Sequence, residues 1–94
     1  MKKYETMFIL KPDMEEENIE AAILGFRDLI TGGGGTVADV NKWGKRRLAY
    51  EIQGYEEGIY VIINFSAESA VAQELERVFK ITDAILRYLL IRED

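Results

Sequence analysis

The sequence predicts an α+β domain built from two successive β-α-β units, in the order βαββαβ. Two observations carry this. Strand-like runs, rich in alternating apolar positions, lie near residues 3–11, 36–52, 59–65 and 84–92. Between the first and second, and between the third and fourth, apolar residues recur at helical spacing instead.

The first strand, residues 3–11, places Thr6, Phe8 and Leu10 on one side and Glu5, Met7 and Ile9 on the other. Pro12 ends it. Asp13 then suits a helix N-cap, with Glu16 three residues later to complete a capping box. Glu15, Glu16 and Glu17 stand in the first turn, where the helix dipole favours negative charge. Ile19, Ala22, Ile23, Phe26 and Ile30 form the apolar stripe, and the glycines at 32–35 stop the helix.

The second strand, residues 36–41, is expected to continue past Gly44 to Ile52, bent or bulged at the glycine. Residues 54–58 have the length and composition of a hairpin turn. The third strand, residues 59–65, sets Ile59, Val61, Ile63 and Phe65 against Tyr60, Ile62 and Asn64. Ser66 or Ser69 can cap the second helix, whose stripe is Val71, Leu75, Val78 and Phe79. In the fourth strand, residues 84–92, Leu86, Tyr88 and Leu90 alternate with Arg87, Leu89 and Ile91. Two helices of this length fit on one face of a four-stranded antiparallel sheet, the ferredoxin-like sandwich. The face they cover is expected to carry Phe8, Leu10, Val61, Ile63, Phe65, Leu86, Tyr88 and Leu90.

Ninety-four residues suffice for a single domain spanning 1–94. The chain is 48% hydrophobic and 31% charged, the balance of an ordered globular protein. No apolar run reaches the length that spans a bilayer, and the N-terminus lacks the apolar core of a signal peptide. A cytoplasmic protein with no membrane partner is the expectation. Cysteine and histidine are absent, which removes disulfides, thiolate nucleophiles, imidazole catalysis and Cys/His zinc sites. No serine or threonine has a base marked out beside it, and no carboxylate pair is marked out by the sequence, so no catalytic site is expected. The glycines at 32–35 follow a helix and precede no Gly-Lys-Ser/Thr, so they read as a turn and not a phosphate loop. The three glutamates at 15–17 point in different directions and cannot converge on one ion.

Two features point toward binding. The sheet face away from the helices should be polar if it meets only water. Here it carries Met7, Ile9, Tyr60, Ile62, Leu89 and Ile91, mixed with Glu5, Asn64 and Arg87. A contiguous apolar patch of that kind marks an interface, whereas scattered surface hydrophobes would need no explanation. The second feature is residues 42–50, Lys-Trp-Gly-Lys-Arg-Arg-Leu-Ala-Tyr, with four cations and no anion among residues 42–47. Arginine makes forked contacts with phosphate, and aromatic rings stack on unpaired bases. Alternatively, the cations protect a sheet edge and Trp43 fills the core. The net charge of −5 argues against holding nucleic acid by bulk charge, so any such contact would be local.

Seven short segments spread over nearly the whole chain form a further pattern: Lys3-Tyr4-Glu5-Thr6, Lys11-Pro12-Asp13, Gly34-Gly35-Thr36-Val37, Trp43-Gly44-Lys45-Arg46-Arg47-Leu48-Ala49-Tyr50, Gly58-Ile59-Tyr60-Val61, Glu74-Leu75-Glu76-Arg77 and Ile85-Leu86-Arg87-Tyr88. The segment at 43–50 is the most specific of them. Together they resemble the bacterial small-subunit (30S) ribosomal protein S-six family. Glu51 and Ser69 depart from it, standing where many members carry proline. The resemblance implies a ferredoxin-like fold and a structural, non-enzymatic role with no required cofactor, metal or small-molecule substrate. It also implies binding to the central domain of 16S ribosomal RNA together with ribosomal protein S-eighteen. On that basis Lys2, Lys3, Lys45, Arg46, Arg47 and Arg87 are the expected RNA-binding residues. Met7, Ile9, Trp43, Tyr50, Tyr60, Ile62, Leu89 and Ile91 are the expected contacts with the protein partner. The rival is a small regulatory domain that binds a ligand between like subunits. An acylphosphatase-like enzyme ranks below it, because the short acidic Lys11-Pro12-Asp13 turn is a poor phosphate cradle.

Overall fold

A computed structural model of the chain describes residues 1–93; residue 94 of the expected domain lies outside the described residues. The elements are β1 (Lys2–Leu10), α1 (Glu16–Gly32), β2 (Thr36–Ile52), β3 (Tyr55–Ala67), α2 (Ser69–Ile81) and β4 (Ile85–Arg92). The strands form one sheet in the order β2-β3-β1-β4, with every neighbouring pair antiparallel. This is the ferredoxin-like arrangement that the βαββαβ order predicts.

Both helices lie on the same face. Ile19, Ile23, Phe26 and Ile30 of α1 and Ala72, Leu75 and Phe79 of α2 share one core with Tyr4, Phe8, Leu10, Ile59, Val61, Ile63 and Phe65. Phe26 meets Phe8 and Phe79 edge-on, with ring centroids 5.0 and 4.8 Å apart. Thr6, among the described residues the one buried polar residue of the core face, donates its hydroxyl to the Leu89 carbonyl at 2.9 Å. It therefore carries no unmet polar atom into the core.

Local details depart from expectation. Helix α1 starts after Asp13: Glu15 is the N-cap residue, in extended conformation, and makes no side-chain cap. The Asp13–Glu16 capping box does not form, because the chain is still turning at Pro12 and Asp13. The Lys11 amide is first tied to the Ala84 carbonyl at 3.0 Å. Neither serine caps α2. Ser66 stays in β3, paired with Lys3 and Thr36, and Ser69 is already helical, after Glu68 as N-cap.

The hairpin turns at Gln53-Gly54, not at 54–58. Ile52 pairs with Tyr55, and both intervening residues have positive φ, 52° and 84°. That is the two-residue turn whose twist matches its flanking strands. Strand β3 consequently begins at Tyr55. Leu86 also changes side: a bulge pairs Ile9 with Arg87 but Leu10 with Ile85. Ile85 takes the place in the helix-side core expected of Leu86, and Leu86 joins Ile9 and Leu48 on the other face.

Candidate docking surface

The face opposite the helices is built by register. Met7 lies between Ile62 and Leu89, Ile9 between Tyr60 and Arg87, and Glu5 between Asn64 and Ile91. Antiparallel pairing stacks these side chains in rows across three strands. The central row, Met7–Ile62–Leu89, is wholly apolar. Leu89 is 50% exposed and Ile91 44%, while Met7, Tyr60 and Ile62 are half-buried. This stretch of apolar sheet has no helix over it.

One end of the face is roofed by the chain itself. Between Arg47 and Ile52, strand β2 advances five residues while β3 advances two, from Glu57 to Tyr55. The surplus bulges and curls the hairpin over the sheet, burying Leu48 against Ile9 and Leu86, with Ile52, Tyr55 and Tyr60 packed around them. Ile9, expected at the partner surface, is therefore buried at 4% and forms part of its floor. Tyr50 remains 59% exposed, its hydroxyl accepting a hydrogen bond from Arg87 Nη1. The Arg87 guanidinium sits 5.7 Å from the centre of the Tyr50 ring. Under this roof lies a concavity of about 270 Å³, bordered by Met7, Leu48, Ala49, Tyr50, Tyr60 and Arg87.

The cations fall into separate groups. Lys45, Arg46 and Arg47 are exposed on β2, an outer strand of the sheet, just after the bulge at Gly44 (φ 85°). Arg46 stands 5.2 Å from the centre of the Trp43 ring, which is 51% exposed and outside the core. Lys42 leaves the group: its ammonium pairs with Glu16, and with Glu20 at 2.6 Å, tying β2 to α1. These contacts raise the Lys42 pKa, through the hydrogen bond to Glu16 and then that to Glu20. They lower that of Glu20 through its hydrogen bond with Lys42. Lys2 and Lys3 lie at the other end of the sheet. Lys3 pairs with Ser66 and Lys45 with Ile59, which are seven residues, or roughly 23 Å of strand, apart. Arg87 belongs to the open face. Of the six expected RNA-binding residues, only Lys45, Arg46 and Arg47 are thus brought together on one strand.

Leu48, Ala49 and Leu86 were not anticipated as parts of this face. An apolar Leu48 following five residues that include three cations was the available signal for the first. The other two depend on bulges. Among the described residues no cluster of three or more histidine, cysteine, aspartate or glutamate side chains is arranged to hold a metal, and no helix is long and apolar enough to cross a membrane.

Comparison with known proteins agrees with the fold. A family model described as ribosomal protein S6 matches residues 3–92. The chain is 54% identical to the small ribosomal subunit protein bS6 of Desulforudis audaxviator over 94 residues, covering all of both chains. It is 53% identical to that of Thermoanaerobacter pseudethanolicus, over 100% of this chain and 99% of the relative. The structure superposes on 30S ribosomal protein S6 from Thermotoga maritima with a TM-score of 0.92 at 33% identity, covering 98% of this chain and 87% of that one. With the family model, the full-length similarity and the shared fold in agreement, the chain belongs to the ribosomal protein S6 family.

Proposed function

We propose that the chain is a non-catalytic, structural component of the small ribosomal subunit in the cytoplasm, binding the central domain of 16S ribosomal RNA jointly with ribosomal protein S-eighteen. The observation that carries this reading is the apolar row Met7–Ile62–Leu89, extended by Ile91 and left uncovered on a sheet whose outer strand bears Lys45, Arg46 and Arg47. Burial of that row drives association with the protein partner, with Tyr50, Tyr60 and Trp43 at its margins. The three cations of β2 contribute phosphate contacts, and Lys2 and Lys3 serve as a second, distant contact.

The electrostatics dictate how binding should behave. A chain of net charge −5 with one compact cationic stretch neutralises few phosphates, so alone it holds RNA weakly. With the partner bound, both proteins present their cations together. The test is to titrate a central-domain RNA fragment with the chain, with S-eighteen, and with both. A complex that tightens strongly only with both proteins supports the proposal. Tight RNA binding by the chain alone, with a steep salt dependence, would refute it.

A further inference from the structure

The roofed end of the open face differs from the rest: it is concave and has a cation at its border. Its volume of about 270 Å³ falls below the roughly 300–1,000 Å³ of sites that enclose a drug-sized ligand. It is room for one large side chain. Met7, Ile9, Leu48 and Ile52 supply aliphatic walls, and Tyr50 and Tyr60 supply ring faces. The position is also defined. Ile9, Leu48 and Leu86 are buried beneath it, and the Arg87–Tyr50 hydrogen bond ties the roof to the sheet.

Arg87 is the informative residue. A guanidinium carries five N–H donors, and here one meets the Tyr50 hydroxyl. Among the described residues, none of the ion pairs includes Arg87. Glu5, on the same sheet face, sits across from Ile91, four residues along β4 from Arg87. A cation without a carboxylate, at the lip of an apolar hollow, is complementary to a ligand that brings both parts. We infer that the hollow seats a single large apolar side chain, aromatic or leucine-like, from a protein partner, with a neighbouring carboxylate of that partner held by Arg87. This rests on reading the open face as a protein-docking surface, and adds the chemistry of the segment that docks. A nucleotide fits less well, since the hydrogen-bonding edges of a base would find no partners on methionine, leucine and isoleucine walls.

The experiment is an amide chemical-shift titration of the full chain with three probes: N-acetyl-L-phenylalanine, its uncharged amide, and uridine monophosphate. The expected result is shifts confined to the neighbourhood of Met7, Ala49, Tyr50, Tyr60 and Arg87. The acid should bind about two- to fivefold more tightly than the amide, the range of an exposed ion pair. Arg87→Gln should erase that preference while amide binding persists. Ala49→Trp, which fills the hollow from an exposed position, should remove the binding of both. The inference is overturned if these amides do not shift, if acid and amide bind equally, or if the nucleotide binds more tightly than the acid. A chain that binds S-eighteen but neither phenylalanine probe loses the anchor site and keeps the docking face. One that binds the acid as described but not S-eighteen supports the hollow and refutes the assignment of the partner.

Discussion

A methyl group on Gly58 would collide with Ile9 Cγ2, and would also stand 3.4 Å from the Leu10 carbonyl oxygen and 3.5 Å from Leu48 Cδ2. The Ile9 methyl branches directly from Cβ and cannot swing away without changing rotamer. Gly58 is thus what lets Ile9 and Leu48 close under the hairpin. Gly58→Ala should destabilise the fold by about 1–3 kcal/mol, the usual cost of overpacking a closed contact. Urea unfolding checks this, and an unchanged midpoint would contradict it. Lys42 provides a second residue-scale prediction. Glu20 titrates below its ordinary 4.5, so the stabilisation from its pairing is present above that pH and is lost as the pH falls through the lowered value. Lys42 titrates above its ordinary 10.5, so its share is intact below that pH and disappears as the pH rises through the raised value. Lys42→Met should therefore flatten the pH dependence of the urea midpoint at both the acid and the alkaline end. The pairing itself could not be read from sequence. Lys42 sits in a run of cations, and its partners are 22 and 26 residues away on another element.

At the scale of elements, the regular parts and the glycine-marked bulge at Gly44 were legible, and the other irregular parts were not. Strand β3 alternates buried Ile59, Val61, Ile63 and Phe65 with half-buried Tyr60, Ile62 and Asn64, the period-two pattern that predicted its two faces. The stripe of α1 was equally plain, since Ile19, Ile23, Phe26 and Ile30 all enter the core. The hairpin turn was not. Gly54 and Gly58 both punctuate the segment, and Gln53, although it adopts a positive φ, carries no glycine or asparagine signal. The bulge at Gly44 was marked by its glycine, but those at Ile9/Leu10 and after Arg47 carry no such residue. A register shift is a relation between two strands, and a one-residue slip at Ile9/Leu10 was enough to send Leu86 to the opposite face. The sheet face away from the helices was therefore read correctly at Met7, Ile62, Leu89 and Ile91 and misread at its roofed end. The hairpin roof carries its own prediction. Tyr50→Phe keeps the ring over Arg87 but removes the acceptor for its Nη1. Amide hydrogen exchange at residues 48–52 should accelerate while exchange in the centre of β1 and β3 stays unchanged. Equal exchange in both proteins would show that the hydrogen bond does not hold the roof.

Taken whole, the molecule separates two kinds of surface. Apolar burial is available on the open face, and charge on the outer strand β2 and at the start of β1. Each RNA-contacting cation should contribute to the salt slope of the ternary complex, and each already neutralised cation should not. Replacing Lys45, Arg46 and Arg47 by glutamine should flatten that slope by up to about 3, whereas Lys42→Gln should leave it unchanged. Association with the protein partner, in contrast, should depend on the apolar row and little on salt. The most direct measurement is calorimetric titration of S-eighteen into the wild-type chain and into Leu89→Asp, a substitution at a half-exposed position whose backbone carbonyl, the acceptor for Thr6, is retained. The account predicts at least a roughly tenfold weaker complex, the scale of losing an interface anchor, with the melting temperature of the free chain little altered. Equal affinity for both proteins would contradict it.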